Sequence, residues 1–198
     1  MAELYASLFL KDLDGDQQTV ACLQRFADLA AEQTGPVADL GCGPGAVVNL
    51  LVNEGLTAFG TDLSPGQIDQ ARQAFPDLNF DVGDMTATGF DDESLGGIVS
   101  RYSIIHLDPS THSQVFAHWR RVLERGAPLF ISFFGSRSAQ THGTPFDHKV
   151  TTAYELDPAT IGAALNTAGF NDVEIEATPI PKGGRPFDHT TILTRRAG

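Results

Sequence analysis

The stretch Val37-Ala38-Asp39-Leu40-Gly41-Cys42-Gly43-Pro44-Gly45-Ala46 decides the fold of this chain. A short apolar run with one acidic residue passes directly into three glycines at alternate positions, and the apolar residues that follow have helical spacing. Glycine lacks a Cβ atom, so such a loop can turn sharply and bring its backbone amides against a ligand. The helix N-terminus would face the same ligand. The stretch therefore predicts a strand, a glycine loop and a helix that together hold a nucleotide.

Predicted strands and helices alternate along the rest of the chain. Apolar residues at helical spacing predict helices over 17–34, 45–54, 65–75, 110–125 and 158–168. Apolar runs bounded by turn residues predict strands over 37–40, 57–62, 78–84, 95–100, 128–134, 173–176 and 190–194. Such alternation is typical of a right-handed, mostly parallel α/β sheet. The segment between the last two strands is too short for a crossover helix, so we expect that pair to be antiparallel.

Composition limits the possible functions. The chain has 198 residues, 41% of them apolar, which suits one soluble domain with a full sheet core. Its formal net charge of −12 argues against a nucleic acid or a membrane surface as partner. The sequence shows no apolar run of membrane-spanning length, no signal-peptide pattern and only two cysteines, Cys22 and Cys42. We therefore expect a cytoplasmic protein without a disulfide framework.

Two segments interrupt the periodic pattern. Residues 135–156 are rich in Gly, Ser, Thr and His and are long for a connection in a compact domain, which is typical of a binding loop. The N-terminal segment includes aromatic side chains such as Tyr5 and Phe9. We interpret 1–18 as an N-terminal lid and 135–156 as a substrate-side insertion, both within a single domain that spans 1–198.

Acidic residues mark the ends of three predicted strands. Asp39 precedes the glycine loop, Asp62 ends the second strand, and Asp84 ends the third. Because the carboxyl ends of parallel strands form the ligand-binding edge of an open sheet, we expect these side chains to meet there. The pattern G-x-G-x-x-A over 41–46, with Asp62 about 20 residues further on, also satisfies the dinucleotide fingerprint. The loop alone therefore leaves an NAD(P)-binding protein open.

The chain as a whole resembles the class I S-adenosylmethionine-dependent methyltransferases, in particular the small single-domain enzymes that act on small molecules. The segments that carry the resemblance lie at 37–45, 60–64, 80–85, 97–107 and 168–170. In this order they extend the likeness over about residues 17–196. The resemblance implies a Rossmann-like methyltransferase fold, with a seven-stranded, mostly parallel sheet, an antiparallel C-terminal strand and helices on both faces.

The resemblance also implies S-adenosyl-L-methionine as cofactor and S-adenosyl-L-homocysteine as product. Asp62 would accept hydrogen bonds from both ribose hydroxyls, which charge assistance would strengthen. Asp84 would accept a hydrogen bond from the adenine amine. Leu63 and Met85 would form apolar walls for the adenine ring.

The methionine end of the cofactor would lie against the glycine loop. The loop residues that the resemblance places there are Gly41, Cys42, Gly43 and Gly45. Asp39 and the backbone carbonyl of Arg101 are expected near the ammonium group. The alternative for Asp39 is that it only braces the loop through backbone amides. For Cys42 we expect a space-filling role rather than that of a nucleophile.

His106 is the candidate catalytic residue. It follows the predicted strand 95–100, and its imidazole could take a proton from a hydroxyl or an amine of the acceptor. The alternatives are a wall of the cofactor pocket or a cap for the helix that opens at Asp108-Pro109. The candidate substrate-contacting residues are Tyr5, His142, His148 and Tyr154. The spacing of His, Cys and Asp residues predicts no metal site.

The sequence therefore predicts transfer of a methyl group to an O or N atom of a small molecule, by a monomer or a homodimer. One alternative is an NAD(P)-dependent oxidoreductase that uses the same glycine loop. The other is a non-enzymatic S-adenosylmethionine-binding protein that has the cofactor pocket but no acceptor site. Nothing in the sequence identifies the acceptor.

Overall fold

A computed structural model describes residues 17–147, 151–179 and 187–198, and within these ranges most strands belong to one sheet. The strands are β1 (Val37–Leu40), β2 (Ala58–Asp62), β3 (Asn79–Val82), β4 (Gly97–Arg101), β5 (Pro128–Ser136), β6 (Pro145–Asp147), β7 (Thr152–Tyr154), β8 (Phe170–Pro179) and β9 (Phe187–Arg196). Seven of them form a sheet in the order β3-β2-β1-β4-β5-β9-β8. β9 runs antiparallel to both β5 and β8, and the other neighbours are parallel. This confirms the predicted sheet and its antiparallel C-terminal strand.

Helices cover both faces of the sheet, as predicted. They are α1 (Gln17–Ala30), α2 (Ala46–Asn53), α3 (Pro65–Ala74), α4 (His112–Val122) and α5 (Pro158–Ala168). α1, α2 and α3 pack against one face, which includes Val37 and Val99, and α4 and α5 pack against the other, which includes Leu40 and Ile98. β1 is buried along its whole length because it lies between these two layers. Its carboxyl end is therefore held rigidly, and the glycine loop starts there.

Helix ends follow the capping signals in the sequence. The Ser64 hydroxyl accepts a hydrogen bond from the Gln67 amide at 3.4 Å, and Pro65 occupies the first turn of α3. Asp157 caps α5 in the same way, accepting from the Thr160 amide at 2.8 Å. The cap of α3 matters for function because it fixes the turn directly after Asp62.

Residues 135–156 are more regular than the sequence suggests. β5 continues through Ser136, and β6 pairs antiparallel with β7, with Phe146 opposite Ala153. These strands have three residues each, too few to show an alternating pattern in the sequence. The expectation of an irregular segment is therefore wrong for its described part, and 148–150 lie outside the described residues. Residues 1–16 of the predicted lid also lie outside them, whereas Gln17 already begins α1.

Candidate active site

The glycine loop turns sharply at the carboxyl end of β1. Gly41, Gly43 and Gly45 have φ values of 83°, 51° and 86°, a region that favours glycine. A Cβ atom on Gly41 would lie 2.5 Å from Ser103 Cβ and 3.0 Å from Met85 Cε. By contrast, a Cβ on Gly43 would meet only the Gln67 Oε1 atom among the described residues, at 3.9 Å. Ser103 and Met85 therefore pack closely against the loop at Gly41, whereas the described residues leave space beside Gly43.

Asp62 holds this loop in place. Its Oδ2 accepts a hydrogen bond from the Gly43 amide at 2.9 Å, and its Oδ1 accepts one from the Ser64 amide, also at 2.9 Å. Each carboxylate oxygen has capacity for a further hydrogen bond, so the amides orient the group without exhausting it. The half-buried Asp62 thus presents two fixed acceptors at the edge of the sheet.

Asp39 is buried and has no partner. It is 1% exposed, and neither carboxylate oxygen makes a hydrogen bond. The alternative that Asp39 braces the loop through backbone amides is therefore wrong, because Asp62 has that role. Burial raises the pKa of Asp39 from 3.8 to about 7; the charge of Arg101 opposes this rise, and the charge of Asp62 adds to it. Burying a carboxyl without a partner is energetically costly.

The predicted adenine-binding residues lie together at the ends of β2 and β3. Asp84 is exposed, and its Oδ1 accepts hydrogen bonds from the Thr86 amide at 2.8 Å and the Thr86 hydroxyl at 2.7 Å. It thus forms a turn, as one would expect of an Asp after Gly83. A cleft of about 160 Å³ beside it is lined by Val82, among others. Leu63 is 73% exposed, which is unusual for a leucine and leaves an apolar wall for a ligand.

Met85 connects the adenine-binding turn to the core. Its backbone carbonyl accepts a hydrogen bond from Trp119 Nε1 at 2.9 Å, and Trp119 is fully buried in α4. Its methyl group lies beside Gly41, as the close approach described above shows. Met85 is therefore part of the wall between the glycine loop and the turn at Asp84.

Cys42 contributes backbone rather than chemistry to the loop. The side chain is buried against Gly60, where a Cβ atom would lie 2.7 Å from the sulfur. Burial is the main reason that the pKa of the Cys42 thiol is raised well above its ordinary value, so it is not a nucleophile. The expected space-filling role agrees with this packing.

His106 lies in a short 3₁₀ turn (Ile104–His106) after β4, at the predicted place. Its Nδ1 donates a hydrogen bond to the Thr152 carbonyl of β7 at 3.0 Å. The helix cap that the sequence assigned to it as an alternative is instead Asp108, which accepts from the Ser110 amide at 2.9 Å. His106 thus connects the carboxyl end of β4 to the β6–β7 hairpin.

Two of the four candidate substrate-contacting residues, His142 and Tyr154, lie in the described part of the chain. His142 Nδ1 accepts a hydrogen bond from the Asp157 amide at 3.0 Å, which places it at the start of α5. Tyr154 is half-buried in β7. Tyr5 and His148 lie outside the described residues.

The structure adds a group that the sequence analysis missed. Tyr102, directly after β4, forms a hydrogen bond with His189 Nδ1 on β9, and its ring centroid is 4.7 Å from that of Phe134 on β5. Ser132 and Thr191, on the same two strands and opposite one another, are buried with hydroxyls that make no hydrogen bond. Tyr102 lies in the segment 97–107 that carries the resemblance, but the other residues are distant in sequence and lie in no recognisable motif, so only the β5–β9 pairing brings them together.

The described part of the chain contains no group of three or more His, Cys, Asp or Glu side chains that could hold a metal ion. Among the same residues, no helix is long and apolar enough to cross a membrane.

Comparisons with known proteins agree with this geometry. Residues 37–126 match the family described as methyltransferase domain. A trans-aconitate 2-methyltransferase of Variovorax paradoxus is 29% identical over 129 residues, which are 64% of this chain and 49% of that protein. Phosphoethanolamine N-methyltransferase 1 of Arabidopsis thaliana is 31% identical over 148 residues, 71% of this chain and 29% of that protein. The chain thus spans about half or less of these relatives.

A solved structure has a similar fold. The crystal structure of a SAM-dependent methyltransferase from Archaeoglobus fulgidus aligns with a TM-score of 0.71 at 19% identity, covering 97% of this chain and 100% of that one. The matched region 37–126 contains the glycine loop, Asp62, Asp84 and His106. The sequence match over this region and the shared fold together support the resemblance to the class I S-adenosylmethionine-dependent methyltransferases.

Proposed function

We propose that this chain binds S-adenosyl-L-methionine at the carboxyl ends of β1, β2 and β3 and transfers its methyl group to an O or N atom of a small molecule. The product of the cofactor is S-adenosyl-L-homocysteine. The relatives named above act on trans-aconitate and phosphoethanolamine, which are themselves small molecules. The strongly acidic chain also favours a small acceptor over a nucleic acid.

The buried, unpaired carboxyl of Asp39 carries this proposal. A group with both oxygens unsatisfied and less than a tenth of its surface exposed is costly unless a ligand satisfies it. The cofactor has an ammonium group at its amino acid end, and that cation suits Asp39. Arg101, whose charge reaches Asp39, suits the carboxylate of the same amino acid end.

The other cofactor contacts follow from the edge of the sheet. Asp62, oriented by the Gly43 and Ser64 amides, is placed to accept from the ribose diol. Asp84 accepts from the adenine amine, and the exposed Leu63 packs on the ring. These roles fit S-adenosylmethionine more closely than a dinucleotide, because the part of a dinucleotide that lies against a glycine loop is its anionic pyrophosphate, which the carboxylate of Asp39 would repel.

Once bound, the cofactor supplies an electrophilic methyl group on its sulfonium. The contribution of this chain is to align the acceptor with that methyl group and to exclude water. We propose that His106, held by the Thr152 carbonyl, faces the acceptor and takes its proton where the acceptor arrives protonated. An acceptor that arrives unprotonated would need no base.

Calorimetric titration tests the proposal. We expect S-adenosylhomocysteine to bind the wild-type protein and NADH and NADPH not to bind. Asp62→Ala should weaken S-adenosylhomocysteine binding about 100-fold, since it removes two charge-assisted hydrogen bonds. The matched control is Asp69→Ala, which removes an exposed carboxylate from α3 and should leave binding unchanged.

Three results would contradict the assignment. Binding of NADH without S-adenosylhomocysteine would favour the oxidoreductase. Equal affinity of Asp62→Ala and wild type for S-adenosylhomocysteine would contradict the ribose contact that we assign to Asp62. Tight binding with no methylated product from any acceptor, assayed with radiolabelled S-adenosylmethionine, would favour a non-enzymatic cofactor-binding protein.

A further inference from the structure

Five ring-bearing residues meet at the carboxyl ends of β4 and β5 and form what we name the aromatic wall: Tyr102, Phe134, Phe146, Phe187 and His189. The ring centroids of Phe134 and His189 are 5.8 Å apart, and those of Phe146 and Phe187 are 4.9 Å apart. Tyr102 makes a hydrogen bond with His189 Nδ1 across the two strands. All but Phe187 keep part of their surface exposed. The wall is thus an apolar surface with one polar pair built into it.

Tyr102 has an unfavourable backbone conformation in this position. Its φ is 52°, in the left-handed region that is unfavourable for a residue with a Cβ atom. The Tyr102 amide donates to the Ser132 carbonyl at 2.8 Å, which fixes the strained residue to β5. Strain of this kind persists where it has a functional use. Here it turns the phenol towards β9 instead of continuing the direction of β4.

The aromatic wall begins one residue from the proposed cofactor site. Arg101, whose charge acts on Asp39, has its guanidinium carbon 4.9 Å from the centroid of the Tyr102 ring. Tyr102 thus stands between the residues that bind the amino acid end of the cofactor and the open end of β5. The reactive methyl group of the cofactor adjoins that amino acid end, so the wall is where an acceptor would approach it.

The charges around the aromatic wall argue against an anionic acceptor. Arg137 Nη2 forms an ion pair with Asp188 Oδ1 at 2.7 Å, and Arg101 acts on Asp39. Arg137 is thereby engaged with a carboxylate of the chain itself, and Arg101 is the residue that we assign to the carboxylate of the cofactor. A flat apolar molecule, by contrast, can pack on the rings edge to face or offset.

We propose that the aromatic wall is the acceptor subsite, that it takes a flat aromatic molecule bearing a hydroxyl group, and that Tyr102 and His189 together receive the proton of that hydroxyl. This inference rests on the proposed methyl transfer and specifies its acceptor. For a hydroxyl acceptor the proton thus passes to this pair, whereas His106 is the proposed base for an amine acceptor.

In the methyl transfer, the acceptor oxygen forms a bond to the methyl carbon while the carbon–sulfur bond breaks, and the bonding electron pair remains on sulfur. The acceptor proton passes to the Tyr102 oxygen as the Tyr102 proton passes to His189 Nδ1. His189 must therefore be neutral at the start, and it releases its extra proton to water afterwards.

The test uses 2-naphthol as acceptor probe, with methyl-labelled S-adenosylmethionine and mass detection of the methyl ether. We expect wild type to methylate it. Tyr102→Phe, which keeps the ring and removes the hydroxyl, should lower kcat about 100-fold while S-adenosylhomocysteine binding stays unchanged. His189→Asn, whose side chain cannot take up the proton, should lower kcat similarly. Thr167→Val is the matched control, since it removes a hydroxyl bonded within α5 and should change neither quantity.

The outcomes separate this inference from the proposed function. If wild type binds S-adenosylhomocysteine but Tyr102→Phe methylates 2-naphthol as fast as wild type, the proton pathway is wrong. If wild type methylates trans-aconitate or phosphoethanolamine but not 2-naphthol, the acceptor class is wrong. Failure of wild type to bind S-adenosylhomocysteine would refute the proposed function itself, and the subsite with it.

Discussion

Binding of the cofactor to this chain should release a proton from Asp39. Burial raises the pKa of this carboxyl from 3.8 to about 7, so at pH 6 most of the ligand-free protein carries a proton there. A bound ammonium group needs the ionised form. Binding at pH 6 should therefore release about 0.9 protons, and binding above pH 8 should release almost none.

The size of the effect follows from the same shift in pKa. One pKa unit corresponds to about 1.4 kcal/mol, so the buried site opposes ionisation of Asp39 by about 4 kcal/mol relative to water. A cation that fully compensates this cost gains at most that free energy. Between pH 5 and pH 6.5, the Kd for S-adenosylhomocysteine should fall about tenfold per pH unit and then level off near pH 7.5.

The ligand-free protein should show the opposite trend. The folded state holds a proton on Asp39 between pH 4 and pH 7 that the unfolded state has lost, so the stability contributed by this group decreases as the pH rises through that range. Asp39→Asn has no such proton. Its free energy of unfolding should therefore exceed that of wild type at pH 8, by up to about 4 kcal/mol, while its affinity for the cofactor is lower.

Calorimetry in buffers of different ionisation enthalpy measures the proton release, and urea denaturation from pH 5 to 8 measures the stability. Asp39→Asn is the control in both, since it has nearly the same shape and does not titrate. The reasoning would be refuted if Asp39→Asn kept the wild-type pH dependence of Kd, because another group would then carry the proton. It would also be refuted if Asp39→Asn were less stable than wild type at pH 8.

Three further predictions concern the surroundings of the cofactor site. Leu63→Ser should leave the unfolding temperature unchanged, because Leu63 is 73% exposed. It should weaken S-adenosylhomocysteine binding about tenfold, measured by calorimetry, and equal affinity would show that Leu63 does not pack on the adenine ring. Gly41→Ala should destabilise the fold by about 1–3 kcal/mol in urea, since its φ is 83° and Ser103 lies in the way; unchanged stability would contradict the packing of the loop. Trp119→Phe should lose about 1–3 kcal/mol of stability by circular dichroism and also weaken cofactor binding through Met85; a loss of stability alone would show that the Trp119 hydrogen bond does not position that turn.

The sequence alone predicted the fold well because its signals are local. The loop at 41–45, the proline and serine at the start of α3, and the apolar run of β5 each specify their own conformation within a few residues. The short strands of the β6–β7 hairpin were missed for the same reason. Three residues with mixed burial give no periodic signal, so their pairing depends on the tertiary structure.

The different roles of Asp39 and Asp62 could not be predicted from the sequence in the same way. Asp39 and Asp62 both stand near the end of a strand, and both could brace the loop. The parallel register pairs Asp39 with Gly60 and leaves it deep in the sheet, whereas Asp62 extends beyond the last paired residue of β1 and reaches the Gly43 amide. Only the register distinguishes a buried, unpaired carboxyl from a half-buried, hydrogen-bonded one.

The aromatic wall illustrates a stronger limit on prediction from sequence. Tyr102 and His189 are separated by 87 positions, and they meet because β9 runs antiparallel to β5 and brings its N-terminal end to the edge where β4 ends. A parallel strand at that position would bring its carboxyl end there instead. The reversed strand is thus more than a closing element of the sheet: it supplies the histidine that faces the ligand-binding edge.

Features that are unfavourable for folding cluster at this one edge of the sheet. Asp39 is buried without a partner, Tyr102 adopts a left-handed backbone, and Leu63 exposes an apolar side chain to water. Each lowers the stability of the ligand-free protein. Under the proposed function a cation would pair with Asp39, the hydroxyl group of the acceptor would face Tyr102, and a flat ring would cover Leu63. Taken together, these three requirements match a molecule such as S-adenosylmethionine with an acceptor beside it, so the cost in stability and the proposed function have the same structural origin.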